Sequence, residues 1–274
     1  MRSRIFIGLA IAGAAALTVA APATAATSED ATLSVLHGIP DTPVDVYVNG
    51  DLTLDDFQPG DLAGPLELPA GDYEVALTAT DAADDSSPVL GPITLTLESG
   101  SSYTAVAHLT ESGEPTAKLF MNDTSTTAAG EGRLTVRHVA AAPAVDVLAG
   151  DSPVIEGLAN PDEASLDLAA GTVSASVALA GTTDPVLGPT DVAIADGTLT
   201  IVYAWGSAED ENLALAVQTI DGLHSGPDGV NTGSAGLVAE NGGSLWVPMT
   251  VLGAGIALAL SALFVVRRVA ENRS

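Results

Sequence analysis

The sequence predicts an all-β body made of two tandem β-sandwich domains, and three observations carry that expectation. Short Val/Leu/Ile runs alternate with polar residues through the middle of the chain, which is the period-2 pattern of half-buried strands. The same motifs return about 100 residues later, a spacing that matches a small sandwich rather than a solenoid unit. Helix signals are scarce between Thr27 and Ser244, and the long apolar runs sit at the two ends.

The first element is residues 1–26, read as a signal peptide. Arg2 and Arg4 form a basic start, Ile5 to Ala21 an uncharged apolar core, and Ala23-Thr24-Ala25 a small-x-small cleavage pattern. The last element is a transmembrane helix over residues 245–266. Its 22 residues carry no charge and would span about 33 Å at 1.5 Å per residue, enough for a hydrocarbon core of about 30 Å. Trp246 suits the headgroup region, and Arg267-Arg268 follow at once. Positive charge on the inner side predicts a single-pass protein of the cell membrane, with its body extracellular and residues 267–274 cytoplasmic.

Between Thr27 and Ser244 the only cations are Lys118, Arg133 and Arg137, against every acid of the chain except Glu271, a formal charge of −31. A polyanion with no basic stripe repels nucleic acid phosphates, so no nucleic acid partner is expected. With no cysteine, disulfide frameworks, thiolate nucleophiles, Cys zinc sites and iron–sulfur clusters are excluded.

The repeat shows itself motif by motif. Leu33-Ser34-Val35-Leu36-His37 matches Leu134-Thr135-Val136-Arg137-His138, and Pro43-Val44-Asp45-Val46 matches Pro143-Ala144-Val145-Asp146-Val147. Leu68-Pro69-Ala70-Gly71 corresponds to Leu168-Ala169-Ala170-Gly171, and Pro88-Val89-Leu90-Gly91-Pro92 to Pro185-Val186-Leu187-Gly188-Pro189. Tyr103 to Ala107 is set against Leu199 to Tyr203. In the first copy, strands are expected at Leu33–His37 and Val44–Val48, then a hairpin turn at Asn49-Gly50. Further strands are expected at Tyr73–Leu77, Ile93–Leu97 and Tyr103–Leu109. Roughly seven strands per copy suggest an immunoglobulin-like or transthyretin-like sandwich. The first repeat is placed at 27–121, a polar linker at 122–132, the second repeat at 133–220 and a Gly-rich tether at 221–244. Each copy has its own strand set, so each is expected to fold alone.

The His-x-x-Pro/Ala opening with Pro-Val-Asp-Val, the Leu-Pro-Ala-Gly turn, the Pro-Val-Leu-Gly-Pro turn and the closing Gly222-Leu223-His224-Ser225 resemble domain of unknown function 4397. The resemblance covers about residues 32–236. It implies a secreted or envelope protein of actinobacterial type, often tandem or membrane-anchored, and it brings no catalytic residues with it. Copy two departs from the pattern at Leu148, where copy one has Tyr47, and it lacks the Asn-Gly turn.

Few residues suggest chemistry. No nucleophile elbow, His-Glu-x-x-His helix, phosphate loop or dinucleotide fingerprint occurs. His37 and His138 each precede an aspartate, Asp45 and Asp146, by eight residues. They are read as structural His–Asp hydrogen bonds between adjacent strands rather than as general bases. Asp55-Asp56 with Asp61, Asp81 with Asp84-Asp85, and Glu209-Asp210-Glu211 are acidic clusters. Calcium takes six to eight oxygens, and Asp81, Asp84 and Asp85 are the metal candidates. No EF-hand spacing supports them, so solvated acidic loops are expected and no other cofactor. The function expected is a non-enzymatic display or binding module of the cell envelope, anchored through 245–266, with an envelope protein or wall polymer as partner. The alternative is an envelope hydrolase or carbohydrate-active protein using acidic residues.

Overall fold

The computed structural model describes residues 29–224. The expected signal peptide, residues 225–244 of the expected tether, the expected transmembrane helix and the tail lie outside the described residues. Among those described, no helix is long and apolar enough to cross a membrane.

The described residues are all-β, with eight strands in each copy rather than seven. The first copy contains β1 (Ala31–His37), β2 (Val44–Val48), β3 (Asp51–Phe57), β4 (Leu62–Leu68), β5 (Gly71–Ala79), β6 (Leu90–Leu97), β7 (Ser102–Leu109) and β8 (Pro115–Met121). The second contains β9 (Glu131–His138), β10 (Val145–Ala149), β11 (Ser152–Leu158), β12 (Glu163–Ala169), β13 (Gly171–Leu179), β14 (Pro185–Ile194), β15 (Thr198–Trp205) and β16 (Ala214–Asp221). Sheets of order β4-β1-β7-β8 and β3-β2-β5-β6 form the first sandwich, and β12-β9-β15-β16 with β11-β10-β13-β14 repeat the same order in the second. In each copy the first strand runs parallel to the seventh, and the other pairings are antiparallel. Asn49 and Gly50 both have positive φ, 53° and 85°, as the tight hairpin between β2 and β3 requires.

The pairing shifts one part of the repeat. Leu33 lies opposite Tyr103 and Val35 opposite Ala105, whereas Leu134 lies opposite Thr200 and Val136 opposite Val202. The structural counterpart of Ala105 is therefore Val202, one residue beyond the sequence match. A one-residue slip in a strand exchanges its two faces. With the register corrected, the outward face of β7 is Ser102, Thr104, Val106 and His108, and that of β15 is Leu199, Ile201, Tyr203 and Trp205.

That apolar outward face is buried against the first sandwich. Leu36, Val106 and Phe120 of copy one form one cluster with Val139, Leu199, Ile201, Tyr203 and Leu223 of copy two. β7, β9 and β15 are consequently buried on both faces. The two copies do not have wholly separate cores. Leu36 and Arg137 occupy equivalent repeat positions, and both are buried at this junction. Arg137 is 1% exposed as a side chain and donates through Nε to Glu163 Oε2 at 2.7 Å. Its other nitrogens donate to the Tyr203 hydroxyl at 2.9 Å and to Asn122 Oδ1 at 3.0 Å, and its guanidinium lies 4.4 Å from the Phe120 ring centroid. The Tyr203 hydroxyl in turn donates to Gln218 Oε1 at 2.6 Å, and Gln218 Nε2 donates across the junction to Ser34 Oγ at 3.1 Å. Arg137, Asn122, Tyr203 and Gln218 thus find partners at the junction, as burial demands, whereas His108 Nε2 and Trp205 Nε1 have none.

Residues 122–130 are held as well. Asn122 and Thr127 are buried, Arg133 binds Asp123 and Asp167, and the Thr127 amide donates to Leu223 O at 2.8 Å.

Candidate functional site

His37 and Asp45 are close in sequence and buried, but they do not pair, and neither do His138 and Asp146. His37 Nε2 bonds the Thr42 carbonyl at 2.7 Å and His138 Nε2 bonds the Pro143 carbonyl at 3.0 Å. Each imidazole therefore pins the loop that leads into the second strand of its copy. The aspartates serve a different feature. A register shift between Val44 and Val46 marks a bulge opposite β3, and the same shift occurs between Val145 and Val147. The extra residue is Asp56 in one copy and Gly157 in the other, both left-handed with φ of 52° and 64°. Asp45 Oδ1 accepts from the Asp56 amide at 2.9 Å, and Asp146 Oδ1 from the Gly157 amide at 2.7 Å. A bulge leaves an amide out of the ladder, and the aspartate of the Pro-Val-Asp-Val motif satisfies it. The expected His–Asp pairs are thus replaced by two independent backbone clamps, because the bulge, which is not visible in residue spacing, claims the carboxylate.

Asp146 also accepts from the Gly181 amide through Oδ2 at 2.8 Å. Asp45→Ala is therefore expected to cost about 1–3 kcal/mol, and Asp146→Ala more, since it strands two amides instead of one. Urea unfolding of the two variants checks the order, and equal losses would contradict it.

Burial holds all three described imidazoles of the core below the ordinary histidine range. For His37 the Thr42 carbonyl and Asp61 oppose the shift only in part. For His138 the opposition comes from the Pro143 and Ala142 backbone and from Glu111 and Asp162. For His108 the Leu109 carbonyl opposes it, while Lys118 and His138 deepen it. These are neutral, structural imidazoles.

Asp81, Asp84 and Asp85 are not gathered into a ligand set. The one group of acidic or histidine ligand atoms that converges among the described residues is Asp45, Asp55 and Asp56. Asp84 instead accepts from the Ser86 amide at 3.0 Å, and Ser86 holds its carboxyl below the usual range. Asp55 is raised by the charges of Asp45 and Asp56. The convergence arises from the β3 bulge, with Asp45 already committed to the bulge amide.

Joining the copies creates a groove of about 740 Å³ between the β7–β8 hairpin and the Asn160-Pro161 turn. Lys118 Nζ donates to Pro161 O at 2.6 Å, and Asn160 Nδ2 donates to the carbonyls of Leu109 and Ala140. His108 Nδ1 bonds Leu109 O at 2.8 Å, while its buried Nε2 has no partner. Thr110, Glu111, Ser112 and Thr116 complete the wall. The groove offers one ammonium, one carboxylate and several hydroxyls, which suits hydrogen-bonded recognition of a polar surface. Sequence reading missed both this groove and Arg137. The signal for them is the apolar outward face of β15, since an isolated sandwich would present polar residues there.

No curated protein matches the chain. Residues 31–148 match the model of a domain of unknown function, DUF4397, a span that takes in the whole first sandwich and runs to Leu148 in β10. Over those residues the chain is similar to the DUF4397 family.

Proposed function

We propose that the chain is a membrane-anchored, non-enzymatic display and binding module of the cell envelope, its sandwiches outside and its C-terminus in the cytoplasm. The observation that carries this reading is the buried core shared by the two sandwiches. It makes one body of them and forms a polar groove at their junction that neither copy has alone. The residues that recur in both copies, His37 with His138 and Asp45 with Asp146, bind backbone and maintain shape. The formal charge of −31 between Thr27 and Ser244 keeps such a body soluble and away from anionic surfaces. The partner class is an envelope protein or a wall polymer presenting hydrogen-bonding groups to the groove.

Protease added to intact cells is expected to remove the acidic body and leave a small membrane-bound stub. Protection of the body, with the tail cleaved instead, would reverse the topology. For the binding role, the soluble body is expected to be retained by isolated envelope and released by excess free body. Retention no greater than that of an unrelated acidic protein would remove the binding role.

A further inference from the structure

The interior of the first sandwich differs from that of the second. The second is packed around one buried cluster, whereas the first is divided into two, bridged by the partly buried Val35 and Val75. Between them lies a cavity of about 240 Å³. Its walls are apolar, with Val46, Leu77 and Leu95 among them, and Ala105 stands where the second sandwich has Val202. An engineered apolar cavity of roughly 150 Å³ stays dry and accepts benzene, so this one has room for a larger apolar guest. The exposed wall residues Asp51, Thr53 and Leu66 lie on β3 and β4, the edge strands of the two sheets, and set the mouth there.

His37 is part of the same wall. It is fully buried, stacks on Phe57 at 5.8 Å, and donates from Nε2 to the Thr42 carbonyl. Nδ1 then carries a lone pair, and it has no partner. The equivalent atom of the second copy, His138 Nδ1, accepts from the Ala140 amide at 3.4 Å. The unpaired acceptor and the cavity thus occur together in the first copy. A buried acceptor left unpaired is costly, and a guest that donates one hydrogen bond would satisfy it.

We propose that this cavity is a binding site for an uncharged aliphatic molecule bearing a terminal hydroxyl, the hydroxyl donating to His37 Nδ1 and the chain lying between the sheets. A carboxylate head is disfavoured, because Nδ1 has no proton to offer it and Asp51 stands at the mouth. This site is separate from the outward-facing groove, and only the use of nanodiscs in its test rests on the anchor proposed above.

The probe is octanol, added to the full chain in lipid nanodiscs and followed by thermal melting. A ligand that binds the folded state raises the melting temperature with concentration. Octane, which lacks the donor, is expected to bind about tenfold more weakly, and octanoate to give a smaller shift than octanol. Ala105→Val narrows the cavity with the residue the second copy already uses. Leu66→Trp covers the mouth from a position 37% exposed, so it leaves the core untouched and decides the matter should Ala105→Val fail to fold. Both variants share the wild type's anchor and lipid, so non-specific partitioning cancels in the comparison. Loss of the octanol shift in the variants, with it kept in the wild type, is the expected result. No shift in the wild type, or equal shifts in wild type and Leu66→Trp, overturns the proposal.

Discussion

Arg137→Ala is expected to lower the unfolding free energy of the two-sandwich body by roughly 2–4 kcal/mol, from the cavity it leaves and the buried Tyr203 and Asn122 it deprives of a partner, since Glu163, 37% exposed as a side chain, is left to solvent. The guanidinium is almost wholly enclosed and binds Glu163, Tyr203 and Asn122 while covering the Phe120 ring. Alanine leaves a void at the centre of the junction and removes the donor on which Asn122 and Glu163 converge. Arg137→Leu tests the cause, because leucine is the residue of the equivalent position in copy one, Leu36. An apolar side chain that fills the void replaces a buried charge at little cost, so this variant is expected to recover much of the loss. The same reasoning changes the expectation for separated copies. Cut away from the first sandwich, the second exposes Leu199, Ile201, Tyr203 and Leu223, each worth about 1.5–3 kcal/mol when buried, and it should melt lower than the joined body. Urea unfolding of Arg137→Ala within about 1 kcal/mol of wild type would show that the junction adds little to stability.

Acidification below neutrality is expected to destabilise the body steeply. His37, His108 and His138 are all held below the ordinary histidine range by burial. Unfolded histidine takes up its proton near pH 6.5, while the folded imidazoles stay neutral. The unfolded state then binds more protons, so stability falls as pH drops from about 6.5 towards the folded-state values, and it is flat above neutrality. Each histidine contributes up to about 1.4 kcal/mol per pH unit in that window, and three together about 4. The His–Asp pairing expected from spacing has the opposite sign, with stability lost as pH rises. Relief of repulsion among the carboxylates begins lower, where they start to protonate. Urea midpoints at pH 7.5 and 5.5 decide between the signs, and a higher midpoint at 5.5 would show that the imidazoles are charged in the folded state.

The residues read in order already showed the all-β class, the duplication and the strands with clean alternation, such as Val44–Val48 and Ile93–Leu97. These follow from local patterning, in which a residue's neighbours two positions away share its face. The residues also showed the Asn49-Gly50 hairpin, since few other residue pairs adopt two positive φ angles in succession. The edge strands β3, β8 and β16 were hidden because charges interrupt DLTLDDF, a lysine interrupts PTAKLFM, and β16 ends in Asp221.

Tertiary structure alone decided which partner each polar group took. Spacing set His37 before Asp45 and His138 before Asp146, but a bulge on a neighbouring strand drew the aspartates to its amides and left the imidazoles to loop carbonyls. A bulge belongs to two strands at once, so neither strand's sequence displays it. The same holds for the junction, where Leu36 and Arg137 look interchangeable in the repeat until the facing sheets meet. Burial of an outward face depends on what another part of the chain presents to it, and that information is carried by no single strand.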